Sequence, residues 1–253
     1  MYLALTSTGS TSTGRISGDI FATTHWTVVI AAGKQRTPQS DVALEELCRT
    51  YWYPLYAYAR RHGRTKEDAE DLTQAFFARL LQKNYFAGLD RERGKFRAFL
   101  LVALKHFLAN EWDKSQRQKR GGGVTLLSLD WQDADTRYRI DPADNLSADK
   151  LYDRAWAMTL LERVVKRLGD ESATAGKAKL FEQLRPFLML GKRAMPYAQA
   201  TAALGLSEGA VRVAVHRFRQ RYRRLLREEI AQTLTDAARV EEELRSLFSA
   251  FAD

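Results

Sequence analysis

Four side chains near the C-terminal third set the chemistry this chain is equipped to do. Arg212, His216, Arg219 and Arg223 recur at i, i+4, i+7 and i+11, a spacing that places them on one face of a helix. A row of guanidinium and imidazole groups grips phosphate oxygens and offers donors to base edges. Arg217 and Arg221 add to the charge, and no Asp or Glu lies between Glu208 and Glu228, so these arginines lack local partners. Val211, Val215, Phe218, Tyr222 and Leu225 form a separate apolar stripe at i, i+4, i+7, i+11 and i+14, which makes the helix amphipathic.

The elements that must present this face lie just upstream. An alanine-rich stretch runs to Leu204 and stops at Gly205, and Leu206 leads to Ser207. Ser207 is a good N-cap because its hydroxyl accepts a bond from a free helix-end amide. Two helices joined by a tight Gly-containing turn, the second basic, describe a DNA-reading helix-turn-helix. Ser207, Glu208 and Arg212 then sit at the helix start that reaches base edges. Arg212 and His216 can bond guanine or bridge to phosphate, Glu208 can accept from a cytosine amino group, and Arg217, Arg219, Arg221 and Arg223 are expected to grip phosphate.

Composition excludes several other classes. The 253 residues fill one large or two small domains, and the net charge of +9 fits a polyanion partner. Charge alone does not separate nucleic acid from an acidic membrane surface. No apolar run approaches a membrane span, and the N-terminus lacks the basic start and long apolar core of a signal peptide. Cys48 is the only cysteine, which excludes an internal disulfide; with Leu44, Leu47 and Tyr51 it reads as a small packed hydrophobe. The expectation is a soluble, cytoplasmic protein without a membrane partner. His25, His62, His106 and His216 are scattered without metal-ligand spacing. Gly121-Gly-Gly lacks the Lys-Ser/Thr of a phosphate loop, and no Gly-x-Ser-x-Gly elbow occurs. No enzyme, metal or cofactor is expected.

The remaining chain reads as helices throughout. Residues 1–19, rich in Ser, Thr and Gly, are expected to be disordered. An apolar cluster from Phe21 to Ile30 is expected to dock on the domain that follows. Pro38 with Ser40 or Asp41 opens a helix to about His62, in which Pro54 is expected to kink or divide the run. Thr65 and Asp68 form a plausible capping box for a helix to about Asn84, with Ala69, Leu72, Phe76, Leu80 and Leu81 inward. A charged loop over 87–95 precedes a helix from Phe96 to about Gln118 that turns basic toward its end. The polar, acidic stretch 121–148 reads as a linker, and helices resume near 151–168 and 177–190. A last amphipathic helix spans about 240–251. The fold class is all-α: two helical domains joined by an extended linker, the second carrying the helix-turn-helix.

The order of parts resembles the extracytoplasmic-function (ECF) sigma factors of bacterial RNA polymerase. The residues that carry the resemblance are Asp68-Ala-Glu-Asp-Leu-Thr-Gln-Ala-Phe-Phe-Ala-Arg-Leu, Phe96-Arg-Ala-Phe-Leu and Leu204-Gly-Leu-Ser-Glu-Gly-Ala-Val-Arg, covering about 43–119 and 155–227. The resemblance implies a region 2-like domain over 21–120, a linker over 121–150 and a region 4-like domain over 151–235; the N-terminus over 1–20, expected to be disordered, the Trp26-Thr-Val-Val segment and the tail over 236–253 are extras whose role it does not imply. It implies core RNA polymerase and promoter DNA as partners, with the 68–82 helix on the clamp helices of the large subunit through Asp68, Glu70, Asp71, Gln74, Phe77 and Arg79. It also implies −10 element contacts by Arg97, Lys105, His106, Asn110, Trp112, Lys114 and Arg117, and −35 contacts by the second domain's last helix. Two departures are visible: Lys105 stands about where an Asn is common in these proteins, and Glu111 puts an acid on the DNA-facing stretch. An anti-sigma factor or other regulator is left open. The competing class is a stand-alone helix-turn-helix regulator, for which Val240, Leu244, Leu247, Phe248 and Phe251 would form a dimer seam; packing of that stripe on its own chain is the favoured reading.

Overall fold

The computed structural model describes residues 25, 37–82, 95–117, 138, 146–188 and 197–252. Among them the regular elements are eight α-helices with short 3₁₀ turns. The expected 121–148 linker, the 21–30 cluster and the N-terminal stretch lie outside the described residues, apart from His25, Tyr138 and the last residues before the fourth helix. The backbone N–H of His25 donates to Gln232 Oε1 at 3.0 Å.

Helix α1 (Pro38–Arg61) opens at Pro38, as its sequence indicates. Thr37 is the cap: its hydroxyl accepts from the Ser40 amide at 3.1 Å while Ser40 Oγ accepts from the Thr37 amide at 2.9 Å. Of the kink or division expected at Pro54, the division does not occur: one helix continues through it. Its apolar residues encircle the axis from Tyr51 to Ala59, as in a helix buried on all sides. Packing on every face outweighs the one backbone hydrogen bond that Pro54 cannot make.

Helix α2 (Lys66–Gln82) is capped by Thr65, whose hydroxyl accepts from the Asp68 amide at 3.1 Å. Helix α3 (Phe96–Arg117) returns beside it, and Phe76 meets Phe107 edge-on at 5.6 Å. Helix α4 (Ala148–Thr174) is longer than the sequence reading at both ends. Ser147 caps it three residues early, accepting from the Lys150 amide at 3.3 Å, and the helix continues through Gly169, where the Phe181 ring fills the space of a side chain. Helix α5 (Ala178–Leu184) and a 3₁₀ turn (Arg185–Leu188) follow, then α6 (Tyr197–Leu204), α7 (Glu208–Ala231) and α8 (Val240–Ser249).

The two expected domains share one core in this structure. Helix α4 packs along α1 on one side and α7 on the other, and the buried residues from Ala43 to Leu247 form a single cluster around Trp156 and Tyr152. The segment after α7 is also tied to the start of α3: the Phe96 amide donates to the Thr233 carbonyl at 3.1 Å, next to an isolated antiparallel bridge between Lys95 and Leu234.

Candidate nucleic-acid interface

The turn between α6 and α7 has the geometry its sequence calls for. Gly205 adopts φ +65°, a left-handed conformation that costs a residue with a Cβ. Ser207 caps α7, accepting from the Ala210 amide at 3.3 Å. Val211, Val215, Phe218 and Leu225 are buried, so the apolar stripe packs inward and the basic face points away from the core.

That face gathers the expected residues. Arg212, His216, Arg219 and Arg223 line a hollow of about 290 Å³ together with Tyr197 and Val215. Arg212 is exposed, held by Glu208 at 2.7 Å and lying 5.2 Å from the centre of the Tyr197 ring. The hydrogen bond and charge of Glu208 raise its pKa further. Tyr197 in turn stacks on Phe187 at 5.2 Å. Glu208 is therefore engaged by Arg212, which orients the guanidinium at the helix start. Arg217 and Arg223 are exposed and form no ion pair among the described residues. Tyr197 was missed at the sequence level, because an aromatic at the first position of a short helix belongs to no periodic pattern.

The idea that these arginines lack partners fails in part: Arg212 pairs with Glu208 on the helix itself, and others find partners beyond it. Arg221, expected on phosphate, is bonded to Glu171 of α4 through both Nε (2.7 Å) and Nη2. Arg219 Nε donates to the Phe187 carbonyl at 3.0 Å. Arg221 is thus a tie between α7 and α4, and Arg219 keeps only part of its fork for another ligand.

Along α3, the described residues divide in two. His106 and Asn110 are exposed on the surface, and Lys105 is exposed but paired with Asp149 at 2.7 Å, a hydrogen bond that raises its pKa. Trp112, Lys114 and Arg117 continue the helix, and their side chains lie outside the described residues. Arg97 corrects an expectation: its side chain is 15% exposed and enclosed by Glu243 and Asp153, with the guanidinium 4.7 Å from the centre of the Trp156 ring. A carboxylate from a helix nearly 150 residues away satisfies it, and nothing in the local sequence signals that.

On α2, Asp68 and Asp71 are exposed and Glu70 is half-buried, all in its first two turns, and Gln74 is half-buried at mid-helix. Phe77 is a second correction: at 2% exposure it belongs to the core, because Phe76 and Phe77 both turn inward beside α3. Arg79 lies 5.8 Å from the centre of the Phe107 ring and 4.0 Å from Glu111, so the unexpected acid on α3 is a partner for α2.

Among the described residues no three His, Cys, Asp or Glu side chains are grouped to hold a metal ion, and no helix is long and apolar enough to cross a membrane. What the arrangement defines is an all-α protein that presents a capped, arginine-rich helix and a second exposed polar helix face on one core. Residues 47–118, from α1 to the end of α3, match the family described as Sigma-70 region 2, so the chain carries a sigma-70 region 2 domain. No curated protein and no solved structure matches the chain.

Proposed function

We propose that this chain is a promoter-specificity subunit of bacterial RNA polymerase, a sigma factor of the ECF type that works in the cytoplasm. The observation that carries the reading is the Sigma-70 region 2 match over 47–118, joined in one chain to a basic two-helix unit that region 2 does not include. In this reading the acidic start of α2, with Asp68, Glu70 and Asp71, and Gln74 at mid-helix dock on the polymerase clamp helices. The exposed face of α3 with His106 and Asn110, together with Trp112, Lys114 and Arg117 further along the helix, meets the −10 element, where cations follow phosphates and aromatic rings take an unstacked base. The start of α7 enters the major groove of the −35 element with Ser207, Glu208, Arg212 and His216, while Arg217 and Arg223 hold phosphate. The chain supplies recognition and the polymerase supplies the chemistry.

Run-off transcription with the purified chain and core polymerase on a library of upstream fragments tests this. Start sites that require the chain are expected, and their alignment gives the two elements. A chain that neither binds core enzyme nor directs initiation, but shifts duplex DNA alone as a dimer, is a stand-alone regulator instead.

A further inference from the structure

Behind the basic face of α7 lies a second cavity, a half-open groove of about 890 Å³ between α4, α5, α7 and α8. Its lining is mostly apolar and includes Val165, Tyr222, Met158 and Phe248. The last two are large side chains left 41% and 57% exposed. Burial in this wall pushes the Tyr222 hydroxyl up to about 12. Such a volume falls in the range of small-molecule sites rather than of packing defects.

The lining of the groove carries charges of both signs. Arg219 and Arg223 of α7 and Arg185 of the 3₁₀ turn line it, and none of the three forms an ion pair among the described residues. Of the acids in the lining, Asp170 of α4 is closed by Lys166 at 3.0 Å, and Glu162 and Glu182 are the others. An apolar trough edged by unneutralised guanidinium groups complements an apolar body with one acid head. A singly charged head suits a half-buried site better than a dianion, whose desolvation costs more.

We propose that this groove binds a small amphipathic carboxylate, its chain on Met158, Val165 and Phe248 and its head on Arg185 with Arg219 or Arg223. Arg219 and Arg223 also line the hollow on the basic face with Arg212 and His216. A bound acid therefore draws on one of the two cations that the groove shares with the basic face, and the ligand weakens DNA binding. This coupling rests on the proposed DNA-reading role of α7, whereas ligand binding itself does not.

Calorimetry on the full chain with laurate, and with dodecanol as the uncharged match, tests the site without DNA. Laurate is expected to bind one per chain, and Met158→Glu or Phe248→Glu to weaken it about tenfold or more while both variants keep the wild-type melting temperature. Arg185→Ala is expected to weaken laurate and leave dodecanol unchanged. Absence of laurate binding, equal binding of the alcohol and the acid, or indifference to Arg185→Ala overturns the proposal, as does binding of an acidic amphipathic peptide without binding of laurate. Saturating laurate is expected to lower the affinity of the wild type for duplex DNA but not that of Phe248→Glu. Laurate that binds and leaves DNA affinity unchanged sinks the coupling. A chain that binds laurate but no duplex at all retires the DNA-reading role while the ligand site stands.

Discussion

The guanidinium of Arg97, at the start of α3, closes on the carboxylate of Glu243, in the first turns of α8. Glu243 is 1% exposed and also accepts Lys95 Nζ at 2.9 Å. Burial opposes the charge on Arg97, but the hydrogen bond and charge of Glu243, with Asp153, outweigh it and raise the Arg97 pKa. Asp153 goes the other way: burial raises its pKa, and Arg97 only partly offsets that. Glu243 is therefore the principal partner. With the Phe96–Thr233 backbone bond it fastens the region 2 domain to the C-terminal segment.

Removing Glu243 should be costly, because it leaves the buried Arg97 guanidinium with a single acid. Glu243→Ala is expected to lower stability by about 3 kcal/mol, a large effect for one substitution. Replacing both partners, Arg97→Met with Glu243→Met, is expected to recover much of that loss, since paired apolar groups need no compensation. Denaturant unfolding of the three proteins checks this. A single substitution as mild as a surface change, below about 0.5 kcal/mol, contradicts the buried pairing.

Local signals were legible in the sequence and distant ones were not. Thr65, Gly205 and Ser207 act within a few residues of themselves, so the caps, the turn and the inward stripe of α7 could be read directly. The all-α class followed from the same periodicity. The bridging role of α4 was not readable, since one apolar helix pattern does not say how many neighbours it has. Leu244 and Leu247 pack on the chain itself, as the favoured reading of the tail stripe had it, but Phe248 remains exposed. Glu243, Glu171 and Asp149 reach cations from elsewhere in the chain, so the free charge on α3 and α7 is smaller than a residue count suggests.

Gly205, directly after α6, and Gly209, the second residue of α7, make a paired test of the turn. Gly205 has φ +65° and open space around it, so Gly205→Ala meets only backbone strain, expected to cost about 1 kcal/mol. Gly209 lies in the first turn of α7, also in open space but with ordinary helical φ, so Gly209→Ala is expected to stabilise by about 0.5 kcal/mol. Thermal melts of the two variants should move in opposite directions. Shifts of the same sign would contradict the turn geometry.

The tie between α7 and α4 should carry a pH signature. The Arg221 hydrogen bond, followed by the Arg221, Arg167 and Arg224 charges, holds the Glu171 carboxyl below its ordinary value of 4.5. A carboxyl depressed on folding contributes stability that is present above 4.5 and lost as pH falls through the folded value. Glu171→Gln is expected to reduce the fall in melting temperature below that pH, and to cost at most about 1 kcal/mol at neutral pH because the pair is partly exposed. Glu242, held low by Lys95 and Arg239, adds an acid dependence of the same sign that this substitution leaves in place. An unchanged pH profile in Glu171→Gln would show that the pair has no net effect.

The arginines of α7 should separate by role when duplex DNA binding is measured at several salt concentrations. Arg217 is exposed without an ion pair among the described residues, so Arg217→Ala is expected to weaken binding to every sequence alike and to reduce the log–log salt slope by about 0.9. Arg212 is held at the helix start by Glu208 and Tyr197, so Arg212→Ala is expected to lose about 1–3 kcal/mol of preference for one base pair. Arg221 is committed to Glu171, and Arg221→Ala is expected to lower stability while leaving the salt slope in place. Identical behaviour of Arg212→Ala and Arg217→Ala, with no loss of sequence preference in either, would reduce α7 to a phosphate-binding helix that does not read bases.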